Sequence, residues 1–188
     1  MLGECVLGAT NAVAGVIETR GWSWDVAWVG SGSMALVLAL WWVYFLVPFG
    51  QVLHHHRQRA FGWGYGHFAV FASLAAMGAF LGVLADQLKL NDGAAAAAQA
   101  HAAVSPTLAI GLVAAAVAVY LVTMWLMSVR VAGQKHRVDW AWGASLMLLA
   151  GVVGAVEAGM PLAWSLPALA LAPAFLIAVV ERGRRRDQ

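Results

Sequence analysis

Long apolar stretches dominate the chain, and five of them are long enough to cross a lipid bilayer as helices. A helix needs about 20 apolar residues to span a hydrocarbon core roughly 30 Å thick, because it rises about 1.5 Å per residue. The stretches cover residues 26–47, 63–85, 107–127, 140–158 and 162–180, and each is almost free of charge. This pattern predicts an all-α, polytopic integral membrane protein.

A sixth apolar stretch, residues 2–17, is shorter than the others. Its 16 residues would reach only about 24 Å as a helix. A cleaved signal peptide would begin with a positively charged segment, whereas the only charged residue near this start is Glu4. We therefore predict a sixth membrane helix here and a bundle of six transmembrane helices in one domain over residues 1–188.

Composition agrees with a membrane protein. Hydrophobic residues make up 62% of the chain and charged residues 11%, whereas a soluble domain carries charges on about a quarter of its residues. The basic residues flank membrane segments, so the net charge of +2 predicts no nucleic-acid partner. The single cysteine, Cys5, cannot form an internal disulfide.

The basic residues indicate an orientation. If six helices cross in turn, nine of the eleven Lys and Arg residues fall on one side, and only Arg20 and Lys89 on the other. The nine are Arg57, Arg59, Arg130, Lys135, Arg137, Arg182, Arg184, Arg185 and Arg186. Cytoplasmic loops are enriched in Lys and Arg, so we expect a bacterial inner-membrane protein with both termini in the cytoplasm. Tryptophans typical of interfacial anchors mark that side, among them Trp41, Trp42, Trp63 and Trp140.

Three consecutive histidines, His54, His55 and His56, lie in the short basic connection between the second and third predicted helices. Metal ligands must converge on one point, but adjacent side chains diverge by about 100° on a helix and alternate faces in a strand. A solvated turn that faces lipid headgroups is the favoured interpretation over a metal site. The stretch 86–106 is predicted to be the longest outer loop.

One face of the first segment is polar and small. Glu4, Gly8, Asn11 and Gly15 follow one another at spacings of 4, 3 and 4, which places them together on a helix. A carboxylate inside a membrane costs about 2.5–3.5 kcal/mol when central, so such groups usually face the bundle interior or a cavity. Glu4 is therefore a candidate functional residue, although a position near the surface would let it simply contact water. The glycines are typical of helix packing.

Two further features concern the third segment. Tyr65 and His67 lie two residues apart at its start, so on a helix they diverge by about 200° and cannot form one stacked pair. His67 can relay protons near neutral pH, but bonding to a neighbouring backbone group explains it equally well. Gly78 and Gly82 form a GxxxG pair that is typical of helix packing.

Three short motifs in order resemble the bacterial low-temperature-requirement A family of membrane proteins. They are LGECVLG at residues 2–8, WWVYF at 41–45 and GYGHF at 64–68, with a basic connection before the last. The resemblance implies that this chain corresponds to the C-terminal half of a longer architecture, in which Glu4 would lie deep in the membrane. Family members commonly carry Asp where this chain has Leu46, which weakens any proton or cation chemistry that the motif supports.

The family resemblance implies a topology but no reaction or substrate, so two functional hypotheses follow. The first is a transporter or channel-like component, in which Glu4 and Asn11 line a path for a small ion or proton. The second is a non-transporting structural protein with a role in cold adaptation, assembled in the bilayer with a second copy or with a missing N-terminal half. A lipid-modifying enzyme using Tyr65 and His67 lacks a nucleophile, a metal-ligand set and a cofactor motif, so we do not expect an enzyme.

Overall fold

The computed structural model describes residues 2–90, 104–132 and 139–186, and every regular element within them is a helix. The elements are α1 (Leu2–Arg20), α2 (Trp24–Phe45), α3 (Phe49–His55), a 3₁₀ turn (Arg57–Arg59), α4 (Ala60–Leu90), α5 (Pro106–Arg130), α6 (Asp139–Glu157) and α7 (Leu162–Arg186). The all-α prediction is confirmed for these residues.

Five of the helices are long and apolar enough to cross a membrane, namely α2, α4, α5, α6 and α7. The helix α1 has 19 residues, but its continuous apolar part runs only from Val6 to Gly15. The polar residues before and after that part shorten it. Five helices able to cross a bilayer indicate a multi-pass membrane protein, and a sixth crossing by α1 stays a prediction.

Two predicted boundaries are corrected. The second segment was expected to continue to residue 47, but α2 ends at Phe45, because Pro48 has no backbone N–H to continue the helix. The chain then forms α3 and the 3₁₀ turn rather than an irregular connection. At the other end, α4 continues through Leu90 into the stretch that was predicted to be loop. Residues 91–103 of that stretch lie outside the described residues.

Local signals explain the helix ends that face away from the basic connection. The Ser23 and Ser105 hydroxyls accept the backbone N–H three residues later, at the starts of α2 and α5, and Pro106 occupies the first position of α5. Gly21 follows α1 with φ +73°, and Gly159 follows α6 with φ +105°. Glycine adopts these left-handed conformations without strain from a Cβ, so both helices end there.

The six long helices form a closed ring. Around it, each helix packs against two neighbours in the order α1, α2, α7, α6, α5, α4 and back to α1. The interior of the ring is filled by one contiguous apolar cluster, whose fully buried members include Leu36, Val113, Met124 and Leu169. Many large apolar side chains point outward instead, such as Met147 at 73% exposure. A surface of this kind suits contact with lipid.

The helices α2 and α7 run parallel and approach most closely at Gly32. A Cβ atom added there would lie only 2.4 Å from Pro167 Cδ, so the packing requires glycine. Trp28 stacks on Trp164 toward the start of both helices, with ring centroids 4.6 Å apart. At the other end Trp42 Nε1 donates to Glu181 at 2.9 Å. These contacts hold the two helices along their whole length.

Buried hydroxyl groups inside the ring donate to backbone carbonyls. The buried hydroxyls of Ser33, Ser73, Ser128 and Ser165 donate to carbonyls of their own helices, and Ser145 also reaches Ala172 O on α7 at 3.0 Å. The Tyr120 hydroxyl crosses from α5 to α2, where it donates to Leu40 O at 2.7 Å. Because no water reaches donors buried within a bilayer, these bonds avoid the free-energy cost of leaving a polar group without a hydrogen-bond partner.

Hydrogen bonds connect the helix ends that carry the basic residues. The Arg59 guanidinium donates to Val131 O, just after α5, at 2.9 Å. The Arg184 guanidinium, near the end of α7, donates to Leu46 O, just after α2. The starts of α4 and α6 lie at the same end, since Trp125 Nε1 of α5 donates to Asp139 Oδ1 at 3.0 Å. We call this side of the bundle the basic end.

We predict that Gly32→Ala lowers the free energy of unfolding by about 1–3 kcal/mol, because the added methyl collides with Pro167 and forces α2 away from α7. Gly151→Ala is the matched control. It adds the same methyl at a helix position with no atom within 4 Å, and should be neutral or stabilising by up to about 1 kcal/mol. Unfolding in mixed micelles, followed by circular dichroism, measures both; equal effects would contradict the packing described here.

We also predict that Tyr120→Phe lowers the free energy of unfolding by about 0.5–1.5 kcal/mol, through loss of the bond to Leu40 O. Tyr65→Phe removes a hydroxyl from an exposed tyrosine and should change stability much less. The same micelle unfolding compares the two variants. A stability loss in Tyr65→Phe as large as that in Tyr120→Phe would argue against an interhelical role for the Tyr120 hydroxyl.

Candidate functional site

A hydrogen-bonded pair joins α2 and α4 within the membrane-spanning part of the bundle. The Tyr44 hydroxyl lies 2.9 Å from His67 Nε2, and His67 Nδ1 lies 2.7 Å from the carbonyl oxygen of Trp63, one turn earlier on α4. His67 is 9% exposed. Both ring nitrogens are therefore occupied, one by the helix backbone and one by another helix.

The partners determine which ring nitrogen carries a proton. A carbonyl oxygen can only accept, so Nδ1 must donate to Trp63 O. In the neutral imidazole Nε2 is then an acceptor, and the Tyr44 hydroxyl donates to it. If Nε2 gained a proton, Tyr44 would have to turn its hydroxyl and accept instead. The protonation state of His67 is thus coupled to the contact between α2 and α4.

Aromatic side chains surround the pair. The Trp63 and His67 rings have centroids 4.1 Å apart, and Phe71 meets His67 edge-on at 5.5 Å. The buried Trp63 indole N–H interacts with the Tyr44 hydroxyl, although it reaches no described group at the distance and angle of a regular hydrogen bond. Tyr44 is therefore contacted by both His67 and Trp63.

The first turn of α1 is displaced from this pair along the bundle axis. Gly8 of α1 contacts Gly78 of α4, so these two residues are level. His67 precedes Gly78 by 11 residues and Glu4 precedes Gly8 by four, which separates the Glu4 backbone from His67 by about 10 Å along the axis. The Glu4 side chain lies outside the described residues.

The other predicted site residues do not join this pair. Asn11 is exposed on the outer side of α1. Tyr65 is 79% exposed on α4 and points away from His67, as the helical spacing predicted. The structure therefore separates the proposed set Glu4, Asn11, Tyr65 and His67 into a buried histidine and two outward-facing side chains, with Glu4 placed only by its backbone.

The predicted packing glycines also differ from one another. A Cβ atom on Gly8 would lie 3.1 Å from Gly78 O, so these two glycines bring α1 and α4 close together. Gly82 has no atom within 4 Å of such a Cβ, so it makes no close approach. Gly15 is half-buried on α1.

The predicted anchors Trp41, Trp42 and Trp140 are 43%, 48% and 60% exposed, while Trp63 turns inward to His67.

The histidine triplet lies at the basic end. His54, His55 and His56 are all exposed, and the His54 and His55 rings meet edge-on with centroids 5.2 Å apart. Within the three described ranges, no three His, Cys, Asp or Glu side chains lie close enough together to hold a metal ion.

Sequence analysis missed Tyr44 as a site residue, although it lies inside the WWVYF motif. Its partner His67 is 23 residues away, so no local spacing connects the two. The available signal was a tyrosine that interrupts an apolar membrane segment, since a buried hydroxyl there needs a partner. The same signal would have identified Tyr120.

Comparison with known proteins adds one finding. The family described as bacterial low temperature requirement A protein (LtrA) matches residues 1–180. No curated protein and no solved structure is significantly similar to the chain. The family match extends beyond the three motifs and reaches every helix that is long and apolar enough to cross a membrane, ending within α7. The protein therefore belongs to the bacterial low temperature requirement A (LtrA) family.

Proposed function

We propose that the protein is a transporter or channel-like component of the bacterial inner membrane, in which Tyr44 and His67 handle a proton or small cation. The observation that carries this proposal is their 2.9 Å hydrogen bond between two membrane-spanning helices. Ionisable residues within membrane segments are costly, and they commonly mark proton or ion pathways.

Comparison with the other buried polar residues supports a special role for this pair. The buried serines each donate to a backbone carbonyl, which needs no further explanation than helix packing. His67 instead uses Nε2 to contact a side chain that can reverse its role from donor to acceptor. Proton binding at Nε2 would therefore reverse the direction of this hydrogen bond through rotation of the Tyr44 hydroxyl, so the pair can pass a proton between α2 and α4.

The charge distribution supports an orientation with both termini in the cytoplasm. The exposed arginines Arg57, Arg130, Arg182, Arg184 and Arg185 all belong to the basic end. Lys and Arg accumulate in short loops on the cytoplasmic side. On this arrangement Tyr44 and His67 lie toward the cytoplasmic half of the bilayer.

We predict that Tyr44→Phe and His67→Gln each reduce proton flux at least about tenfold, because either change removes the group that receives or relays the proton. The measurement uses proteoliposomes with an internal pH-sensitive dye and an imposed pH gradient. Tyr65→Phe and His54→Gln are matched controls, since they remove the same groups from exposed positions.

Two outcomes would count against the transport proposal. If proteoliposomes with the wild-type protein conducted protons no faster than protein-free liposomes, the protein would have no proton transport activity. Equal losses in Tyr65→Phe and Tyr44→Phe would show that flux does not depend on the buried pair. Folded yield of each variant, checked by circular dichroism before reconstitution, separates loss of function from loss of structure.

We propose assembly without transport as a second candidate function, and we base it on one feature of α1. Asn11 presents an amide on the exposed side of a helix whose neighbouring Thr10 hydroxyl already donates to Val6 O at 2.8 Å. A polar group facing lipid is unfavourable, and an amide can hydrogen-bond across a helix interface. Gly8 does not serve this role, because it packs on Gly78 within the same chain.

On this second proposal, Asn11→Leu should reduce self-association about threefold or more, from loss of about 0.6 kcal/mol or more per interhelical hydrogen bond. Thr10→Val is the matched control, because its hydroxyl is already satisfied within α1. Size-exclusion chromatography with light scattering in mild detergent measures the assembly. A monomeric wild type, or equal weakening by both variants, would exclude the Asn11 interface.

A further inference from the structure

An open groove of about 820 Å³ lies at the basic end, between α3 and the end of α5. Its polar lining consists of Gln51, His54, His55, His56 and Arg59, and Ala132 closes the far side. None of the described residues that line it is acidic. Within the described part of the chain, the groove therefore offers hydrogen-bond donors and positive charge without a carboxylate to neutralise them.

Arg59 is held in place at one wall of this groove. Its Nη1 donates to Val131 O at 2.9 Å, at the carboxyl end of α5 where backbone carbonyls lack helical partners. A guanidinium has five N–H donors in a fixed plane, so one bond to a carbonyl leaves several for a ligand. Arg57, two residues earlier, is exposed. This geometry suits an oxyanion, since arginine binds phosphate through paired donors.

The described acidic residues at this end are engaged elsewhere. Glu181 accepts a hydrogen bond from Trp42, and Asp139 accepts one from Trp125. Neither lines the groove. Among the described residues, Arg59 thus has a backbone carbonyl as its partner and no carboxylate.

An aromatic surface begins beside the groove. Phe61, Tyr65 and Phe68 are 78%, 79% and 78% exposed on α4 and follow one another at helical spacings of four and three. Phe61 and Tyr65 line a shallow depression that starts at Ala60, next in sequence to Arg59. A cationic groove next to exposed aromatic rings matches an amphiphile with an anionic head and an apolar tail.

We propose that this groove binds the phosphate headgroup of an acidic phospholipid, with Arg59 and the histidine triplet contacting the phosphate and Phe61 and Tyr65 contacting the acyl chains. Arg57 adds charge at the rim. The proposal is independent of transport, because it concerns a lipid bound at the surface of the bundle rather than a solute that crosses it. Free phosphate shares the chemistry of the headgroup but has no apolar part to contact the aromatic surface.

The test is native mass spectrometry of the full chain in detergent, titrated separately with phosphatidylglycerol, phosphatidylcholine and inorganic phosphate. We expect one saturable phosphatidylglycerol adduct that outcompetes phosphatidylcholine about tenfold, because both lipids offer a phosphate but the choline ammonium of phosphatidylcholine adds a positive charge beside Arg59. Arg59→Gln and the double variant His54→Gln/His55→Gln should each weaken that adduct. The double variant alters only exposed side chains, so it tests the site even if Arg59→Gln loosens the end of α5.

Arg182→Gln is the matched control, because it removes an exposed charge at the same end outside the groove. Phosphatidylglycerol binding that survives this change, but not the groove variants, supports a built site. If Arg182→Gln weakened phosphatidylglycerol binding as much as the groove variants do, diffuse electrostatic attraction would explain the binding and the proposal would be overturned. The absence of a selective phosphatidylglycerol adduct would also overturn it. The groove would instead be assigned to a free anion if inorganic phosphate displaced the lipid and Phe61→Ala left phosphatidylglycerol binding unchanged.

Discussion

The close parallel packing of α2 against α7 is the contact on which the rest of the bundle depends. Lipid tails are as apolar as leucine, so membrane helices gain little from burying apolar surface and associate mainly through close packing and polar bonds. Gly32 permits that approach by leaving room for Pro167. Since α2 and α7 are far apart in sequence, their contact also closes the ring of helices and determines which loops meet at the basic end.

A single break after α2 generates both polar features of this end. Pro48 stops the helix, so that the chain turns through α3 and the 3₁₀ turn before α4 begins. The last turn of α2 then carries Tyr44 to His67 inside the bundle, while the turn itself carries Arg59 to the end of α5 outside it. The candidate proton site and the cationic groove therefore lie on either side of the same break between α2 and α4, although one is buried and the other open.

Much of the fold could be predicted from the residues because lipid imposes strong rules. Backbone groups must be satisfied within each crossing, so five long apolar stretches could only be helices. Boundaries were less certain: residues 86–90 lie in α4 rather than in a loop, and the basic connection is mostly helical. A small-residue spacing also predicts only the opportunity for packing, since Gly78 is used and Gly82 makes no close contact.

The sequence by itself determined the all-helical class, the five stretches long and apolar enough to cross a membrane and the segregation of basic residues, because these depend on local composition and on the bilayer as solvent. It also carried enough of the motif order to indicate the family. Only the tertiary structure decided that His67 is paired and Tyr65 is not, that Tyr44 and Tyr120 bridge helices, and that Asn11 faces outward. The physical reason is that a hydrogen bond between two helices depends on how each helix is rotated and how deep it lies in the bundle. Packing contacts between residues that are distant along the chain determine both.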